Sequence, residues 1–389
     1  MAEPNGRVDE IYDQASILEA LERLTVSLQE LNDKESAPTL SHYRHPPEDV
    51  AYSYDLFQQG AALVYGTSTK YTLLGKVDEH EQAKLTQDFL KGCQLIGTAC
   101  LVLHQDSTGC SRSLRHHCKQ AARAIVTTVQ QLVQSFVDGT ALVENVGAQK
   151  TGAVWQTCNV VLEKKLPVGN RNAMRRDWFT YMADCNETLE EFQALIDEGP
   201  ELREEDEEEE GQETATTDKS DYDAFEDFMG GHDQQYSSDE LPIATACVFL
   251  IKCSRGGINA TVQTCEAVGK QLAENDTSKE TSDSDNNKAL LSWISKANHL
   301  AHAVGEGMTD LGAAMYPSLE LDTLQAQVER QASDIDALLT FLLDASPEGM
   351  DGSLDLPQDV VELAAKVKGA VDKRRQEAGD AITAALNNQ

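Results

Sequence analysis

Apolar residues recur every three or four positions along almost the whole chain. This spacing matches the turn of an α-helix, so the apolar side chains of one segment share one face. No stretch alternates apolar and polar residues in the way that a half-buried strand does. The pattern therefore predicts an all-α protein of about ten helices, which are separated by turns that contain Pro, Gly, Asp or Ser.

The first predicted helix, about residues 9–33, carries a seam of aliphatic residues at alternating steps of four and three. The seam consists of Ile17, Leu21, Leu24, Leu28 and Leu31. Its length of about two heptads is below the ~3 to 4 that a coiled coil normally needs. The seam indicates a helix of a bundle, with a short dimerising zipper as the alternative.

The helical pattern stops in one long segment that is poor in aliphatic residues. From Asp197 to Glu240 there are 19 acidic and 2 basic residues, so these positions hold half of the net charge of −34. A segment of this composition buries too little apolar surface to fold. The sequence therefore predicts two antiparallel helical bundles, residues 1–197 and 241–389, separated by an acidic disordered linker, residues 198–240.

The negative charge excludes several classes of function. An acidic surface repels phosphate backbones and anionic lipids, so we expect no direct binding to nucleic acid or to membranes.

The longest nearly unbroken apolar run, Ala244–Ile251, is shorter than the ~20 residues that cross a bilayer. The N-terminus lacks a basic-then-apolar signal pattern, and the nine cysteines include no C-x-x-C pair. We expect a soluble, non-secreted protein whose cysteines are reduced.

No residues have the spacing of a catalytic, cofactor or metal site. His116, His117 and Cys118 are adjacent in the sequence, so on a helix they point about 100° apart, whereas zinc ligands converge from paired spacings. Neither a complete phosphate-binding loop nor a nucleophile elbow is present. We therefore predict no catalytic residues, no cofactor and no metal, and infer that the protein is not an enzyme.

The end of the acidic segment carries a short polar motif, Ser237-Ser238-Asp239-Glu240, directly before a long apolar helix. Ser237 and Glu240 have the spacing of a helix capping box. A serine followed three positions later by an acidic residue also suits a kinase that selects acidic substrates. Because a phosphate would lie at the positive end of the helix, Ser237 and Ser238 are predicted as helix cap and as candidate phosphorylation sites. Capping alone is the preferred interpretation, and capping together with regulatory phosphorylation is the alternative.

The most charged part of the linker is a run of seven acidic residues. They are Glu204, Glu205, Asp206, Glu207, Glu208, Glu209 and Glu210. Such a run commonly does no more than solvate the chain and keep two domains apart. The alternative hypothesis is that the run binds a basic surface of a partner protein.

Several short motifs, taken in their order along the chain, resemble one known family. They are Ala153-Val154-Trp155-Gln156-Thr157-Cys158, Leu166-Pro167, Asn170-Arg171-Asn172-Ala173, Ser237-Ser238-Asp239-Glu240 followed by Ala246-Cys247-Val248-Phe249-Leu250, and Met315-Tyr316-Pro317. With the acidic interruption between them, these motifs are similar to the cyclin-D1-binding proteins, also called cyclin-D-interacting proteins. The resemblance extends from about Tyr52 to Leu342.

The resemblance implies an all-helical interaction protein of the cytoplasm and nucleus. Members of this family bind D-type cyclins and helix-loop-helix proteins, and they restrain phosphorylation of the retinoblastoma protein and the transcription that follows. The family supplies no motif of catalytic residues. A cytoskeletal scaffold of the vinculin or catenin kind is the alternative, because it also consists of long helical bundles. The oligomeric state is left open.

Overall fold

The computed structural model describes residues 14–33, 43, 47–74, 79–143, 145–199, 235–277, 285–350 and 353–387. Within these ranges all regular structure is helical, which confirms the all-α prediction. The helices are α1 (Gln14–Glu30), α2 (Glu48–Leu74), α3 (Glu79–Leu103), α4 (Arg112–Val137), α5 (Val146–Leu162), α6 (Asn170–Glu198), α7 (Leu241–Thr277), α8 (Asp285–Ala314), α9 (Leu321–Asp344) and α10 (Gln358–Leu386). Single 3₁₀ turns follow α3 and α4, at Asp106–Thr108 and Thr140–Leu142.

Contacts between Cα atoms divide the chain into two compact units, Met1–Arg176 and Asp177–Gln389. The division falls inside α6. Side chains beyond it pack within the second unit, where the ring of Phe192 lies 5.1 Å from that of Tyr316. The predicted boundary at residue 197 followed the change in composition, whereas the contacts place residues 177–198 with the second unit. Periodicity shows that a helix has an apolar face but not which bundle covers that face.

Helices α2 and α3 form an antiparallel pair in unit 1 and touch through their backbones. A Cβ atom on Gly60 would lie 2.7 Å from the carbonyl oxygen of Gly92, and a Cβ on Gly92 would lie 3.1 Å from that of Gly60. Real Cβ atoms do not approach a carbonyl oxygen as closely as 2.7 Å, so the pair requires glycine at the contact. The missing side chains let the two helices come closer than ordinary ridge-and-groove packing allows.

Helix α1 packs on α3 and α4 with its aliphatic seam. Ile17, Leu21 and Leu28 are at most 1 % exposed. Leu24 lies against Gly97 of α3, where a Cβ would be 2.8 Å from Leu24 Cδ1. The seam is therefore covered inside unit 1, as expected for a bundle helix, and is not available to a dimerising zipper.

The turns that precede α4 and α6 are joined by one buried amide. Asn170 is 0 % exposed. Its Oδ1 accepts a hydrogen bond from the Ser111 amide at 2.7 Å, and its Nδ2 donates to the carbonyl of Gly109 at 2.9 Å. Ser111 also caps α4, because its Oγ accepts from the amide of Leu114. A single side chain thus satisfies buried backbone groups that would otherwise destabilise the fold.

In unit 2, helix α7 packs against α8, α9 and α10. By length and composition alone, Leu241–Leu272 is the one stretch of the described residues that could cross a membrane. In the most apolar window of this stretch, 61 % of the residues are buried in the protein. That burial fits the core helix of a bundle, whose apolar surface is covered by neighbouring helices.

Two details of the predicted organisation were wrong. Tyr236, which was placed in the linker, is 0 % exposed, and its hydroxyl donates to the carbonyl of Met315 at 2.6 Å. The apolar pattern predicts that the fifth helix starts at about Thr140, but α5 begins at Val146, because the chain first makes a 3₁₀ turn after Gly139, which has a φ of 72°. Residues 200–234, most of the predicted linker, lie outside the described residues.

Substitution of Gly60 tests the close approach of α2 and α3. Gly60→Ala should lower the free energy of unfolding by up to about 2 kcal/mol, because a steric cost of ~1–3 kcal/mol is offset only by the gain of ~1 kcal/mol in helix propensity. Gly66 of the same helix has open space around it and is the matched control. Gly66→Ala should raise the stability by up to ~1 kcal/mol. Urea unfolding of both variants measures the difference, and equal effects would contradict the contact.

Candidate interaction surface

A cluster of ionisable side chains in unit 1 surrounds Asp33, just after α1. Its Oδ2 accepts from Lys119 Nζ at 2.6 Å, and its Oδ1 lies 3.2 Å from His104 Nε2. His116 Nδ1 is 3.5 Å from Oδ2. Lys119 also donates to the carbonyl of Leu31 at 3.0 Å. The cluster therefore attaches the C-terminal end of α1 to α4 and to the end of α3.

The electrostatics of the cluster favour an ionised carboxylate. Burial alone would raise the pKa of Asp33, but hydrogen bonds from His104, His116 and Lys119 outweigh it and hold the pKa well below its usual range. A group held in one charge state and enclosed by partners on three sides is poorly suited to proton transfer. We interpret the cluster as a structural site that holds the end of α1 against α3 and α4, and not as a catalytic site.

A second chain of polar contacts lies in unit 2. The Tyr181 hydroxyl is hydrogen-bonded to His302 Nδ1, and His302 Nε2 lies 2.8 Å from Glu306 Oε1. Gly305 makes room for the tyrosine, since a Cβ there would lie 2.6 Å from the Tyr181 ring. These contacts hold the second part of α6 against α8.

Cysteine and metal chemistry receive no support from the described residues. All nine cysteines are buried as free thiols. Burial raises the pKa of Cys158 and of Cys247 to about 12 each, so at neutral pH these thiols are protonated and poor nucleophiles. In the part of the chain that the structure describes, no group of three or more His, Cys, Asp or Glu side chains has an arrangement that could hold a metal ion.

Exposed apolar side chains accumulate at one end of unit 1. Leu73 is 74 % exposed, Leu142 52 % and Val143 62 %, and Val137 at the end of α4 is 46 % exposed. We call these four residues the end patch. Single exposed apolar residues are normal, whereas several together indicate a binding surface.

The backbone explains why residues so distant in sequence meet at this end. Thr72 is hydrogen-bonded through its hydroxyl to Thr151 of α5. A Cβ on Gly147 would lie 3.0 Å from the carbonyl oxygen of Ala141 and 3.7 Å from Thr72 Cγ2. The end of α2 and the 3₁₀ turn thus converge on the start of α5, so Leu73, Leu142 and Val143 lie at the same end of unit 1.

A polar cleft of about 330 Å³ lies next to the end patch. Helix α4 lines it with Gln130, Gln134 and Ser135, and the opposite side is formed by Thr140 and Lys150. Amide, hydroxyl and ammonium groups in such a cleft can donate and accept hydrogen bonds along the rim of an interface. The apolar patch and the polar cleft together have the composition of a protein-binding surface.

The site residues predicted from the sequence are in different places. Ser237 and Ser238 are exposed at the start of α7. The Glu240 amide donates to Ser237 Oγ at 3.3 Å, and the Ser237 amide donates to Glu240 Oε2 at 2.9 Å, which is the hydrogen-bond pattern of a capping box. The acidic run 204–210 lies outside the described residues.

Two family models match the chain and together cover most of it. Residues 56–198 match the N-terminal domain of the Grap2 and cyclin-D-interacting family, and residues 204–340 match its C-terminal domain. The chain belongs to this family. The match confirms the resemblance that the motifs indicated over residues 52–342. A comparison with curated proteins found no match.

The family match describes an interaction protein of the adaptor type and not an enzyme family. Such a function requires a surface that a partner protein can reach. No observation on these residues favours a vinculin-like or catenin-like scaffold. For this cyclin-D-interacting family member, the end patch is therefore the surface of interest.

The patch was missed by reasoning from the sequence. The apolar pattern places Leu142 and Val143 in the first turn of the fifth helix, which is predicted to start at about Thr140. Asp138-Gly139 is a turn signal shortly before them and could have placed them in a connection between helices. Leu73 gave no comparable signal, because exposed and buried leucines have the same spacing on a helix.

Asp33→Asn tests whether the contacts of Asp33 with Lys119 and His104 stabilise the packing of α1. The variant should be about 2–3 kcal/mol less stable at pH 7, since Lys119 and His104 lose a charged hydrogen-bond acceptor. The pKa of Asp33 is lowered in the folded state, so its stabilisation is fully present above the unfolded value of ~4 and decreases as the pH falls below it. The difference between wild type and variant should therefore shrink between pH 5 and pH 3.

Glu19 provides the control in the same helix, because its ion pair with Arg23 is more than two-thirds exposed on both sides. Glu19→Gln should change the stability by less than ~1 kcal/mol at every pH. Denaturant unfolding over this pH range measures both variants. A difference for Asp33→Asn that did not depend on pH would contradict the assignment.

Proposed function

We propose that this chain is a non-enzymatic regulator that binds D-type cyclins through the end patch of unit 1. Membership of the cyclin-D-interacting family is the observation that carries the function. The exposure of Leu73, Leu142 and Val143 supports the choice of surface. The N-terminal family domain contains all four patch residues, since it covers residues 56–198.

The physical basis of binding is burial of apolar surface. Burying a Leu or Val side chain that is now exposed contributes about 1.5–3 kcal/mol when the burial is complete. A partner helix with apolar residues three and four positions apart would cover the patch, and its polar flank would contact the neighbouring cleft. Gln134 and Lys150 are the cleft residues that offer donors there.

The proposed consequence is competition for a surface. A D-type cyclin bound to this chain would be withheld from its kinase, which would restrain phosphorylation of the retinoblastoma protein and progression of the cell cycle. Helix-loop-helix transcription regulators are the second proposed class of partner, through the family resemblance. We expect the protein in both cytoplasm and nucleus, with no direct contact to nucleic acid or membranes.

Substitutions in the end patch test the surface. The double variant Leu142→Asp, Val143→Asp should weaken binding of a purified D-type cyclin at least about tenfold, which corresponds to ~1.4 kcal/mol, because two charges would be desolvated in the interface. Both positions are exposed in a 3₁₀ connection, so folding should be retained. Isothermal titration calorimetry measures the dissociation constant, and circular dichroism verifies the fold.

Leu101 is the matched control, because it is 50 % exposed on α3 and is not part of the patch. Leu101→Asp should leave cyclin binding unchanged. Equal loss in both variants would contradict the patch but not cyclin binding. Absence of binding by the wild type would contradict the proposed function. Grap2, the other partner in the family's description, is a second protein to test against the same variants.

The acidic run 204–210 is proposed to attract the basic region of a helix-loop-helix partner. Replacing its seven carboxylates by Gln or Asn should slow association with such a partner and flatten its dependence on salt, because steering by opposite charges is screened within ~10 Å at 0.1 M salt. Stopped-flow association between 50 and 300 mM salt measures the change. An unchanged salt dependence would indicate that the run only separates the domains.

A further inference from the structure

Ser237 takes part in a hydrogen-bond arrangement that depends on its hydroxyl proton. The Ser237 hydroxyl donates to Glu240 Oε2 at 3.0 Å, and the Ser237 amide donates to the same oxygen at 2.9 Å. Ser237 Oγ in turn accepts from the Glu240 amide at 3.3 Å. The serine is exposed, so a modifying enzyme can reach it.

The second carboxylate oxygen of Glu240 accepts a hydrogen bond from another part of the chain. Its Oε1 accepts from the backbone amide of Leu319 at 2.7 Å. Leu319 lies in the connection between α8 and α9, 79 residues further along the chain. The carboxylate of Glu240 is therefore a bridge, with one oxygen on the cap of α7 and the other on the α8–α9 connection.

We propose that Ser237 is a phosphorylation site of a protein kinase that selects acidic residues, and that the phosphate breaks the bridge made by Glu240. The kinase transfers the γ-phosphoryl group of ATP to Ser237 Oγ, the hydroxyl proton passes to a base of the kinase, and ADP leaves. Ser237 has Glu240 three positions later, whereas Ser238 has Leu241 there. The sequence context therefore favours Ser237.

The expected effect follows from charge and hydrogen-bond chemistry. A phosphoserine carries a charge of about −1.5 to −2 and no hydroxyl proton to donate. The carboxylate that now accepts from Ser237 Oγ would face this charge at hydrogen-bond distance, so it is repelled. The phosphate oxygens can still accept from the amides at the start of α7, where a negative charge is favourable. Helix α7 should remain capped, while the Leu319 amide loses its acceptor.

The modification would thus act on a part of the protein distant in sequence. The α8–α9 connection also contains Met315 and Tyr316. The Tyr316 hydroxyl donates a hydrogen bond to Glu191 of α6, and the Met315 carbonyl accepts one from the Tyr236 hydroxyl. Phosphorylation removes the hydrogen bond between Leu319 and Glu240 and leaves the other two hydrogen bonds in place. The expected change is therefore a local loosening of the connection and not unfolding. This inference does not depend on binding to cyclin.

The test uses the full chain, ATP and an acidophilic serine kinase whose activity is verified on an acidic reference peptide. Phosphorylated positions are mapped by mass spectrometry in the wild type and in Ser237→Ala and Ser238→Ala. Phosphate should be found on Ser237 in the wild type and to the same extent in Ser238→Ala. Phosphate on Ser238 alone, or none on Ser237 after the reference peptide is fully modified, would overturn the site.

Hydrogen exchange then tests the broken bridge. In the phosphorylated wild type, the amide of Leu319 should exchange about tenfold faster, because a hydrogen bond to a charged acceptor is lost. Amides in the first turn of α7 should not become faster. Ser237→Ala treated with the same kinase is the control for phosphates elsewhere, and its Leu319 amide should be unchanged.

Two unmodified variants separate the two roles of the motif. Glu240→Ala should accelerate exchange at Leu319 without any phosphate, since the acceptor is removed. Ser237→Ala should accelerate exchange only in the first turn of α7, since the cap is removed and Glu240 remains. A phosphorylated Ser237 with unchanged exchange at Leu319 would refute the proposed effect.

Discussion

The contact between Gly60 and Gly92 sets the spacing of the first unit. Because neither residue has a side chain, the backbones of α2 and α3 touch, and the larger side chains on either side interdigitate around the contact, as Val64 and Ile96 do. Helices α1 and α3 also approach each other closely at a glycine, Gly97, where Leu24 occupies the space that a side chain would need. Close approach at these points lets three helices share one dry core.

The helix ends are fastened by a few polar side chains that reach across the chain. Asp33 attaches the end of α1, Asn170 joins two turns, and Glu240 connects the start of α7 to the α8–α9 connection. Each makes at least two hydrogen bonds, of which at least one joins groups that are far apart in sequence. Such contacts specify how the elements are connected, whereas apolar burial supplies most of the stability.

The family domains and the compact units divide the chain differently. The two family models adjoin at residues 198 and 204, next to the acidic run, whereas the contacts divide α6 between Arg176 and Asp177. The two divisions differ because the family models compare residues in their order along the chain, whereas the compact units are defined by which residues lie close together in space. A long helix can begin in one core and contribute its later turns to another. The end patch lies wholly within unit 1 and within the N-terminal family domain, so its assignment is independent of this difference.

The sequence by itself determined the helices, the break at the acidic segment, the family and the pairing of Ser237 with Glu240. These features depend on residues a few positions apart or on motifs in order, which can be recognised without coordinates. Only the tertiary structure decided that Tyr236 is buried, that Lys119 meets Asp33, and that Leu73 and Leu142 are both exposed at the same end of unit 1. Periodicity cannot distinguish a leucine facing the core from one facing solvent, because both recur every three or four residues, and the difference is made by whichever helix packs against them.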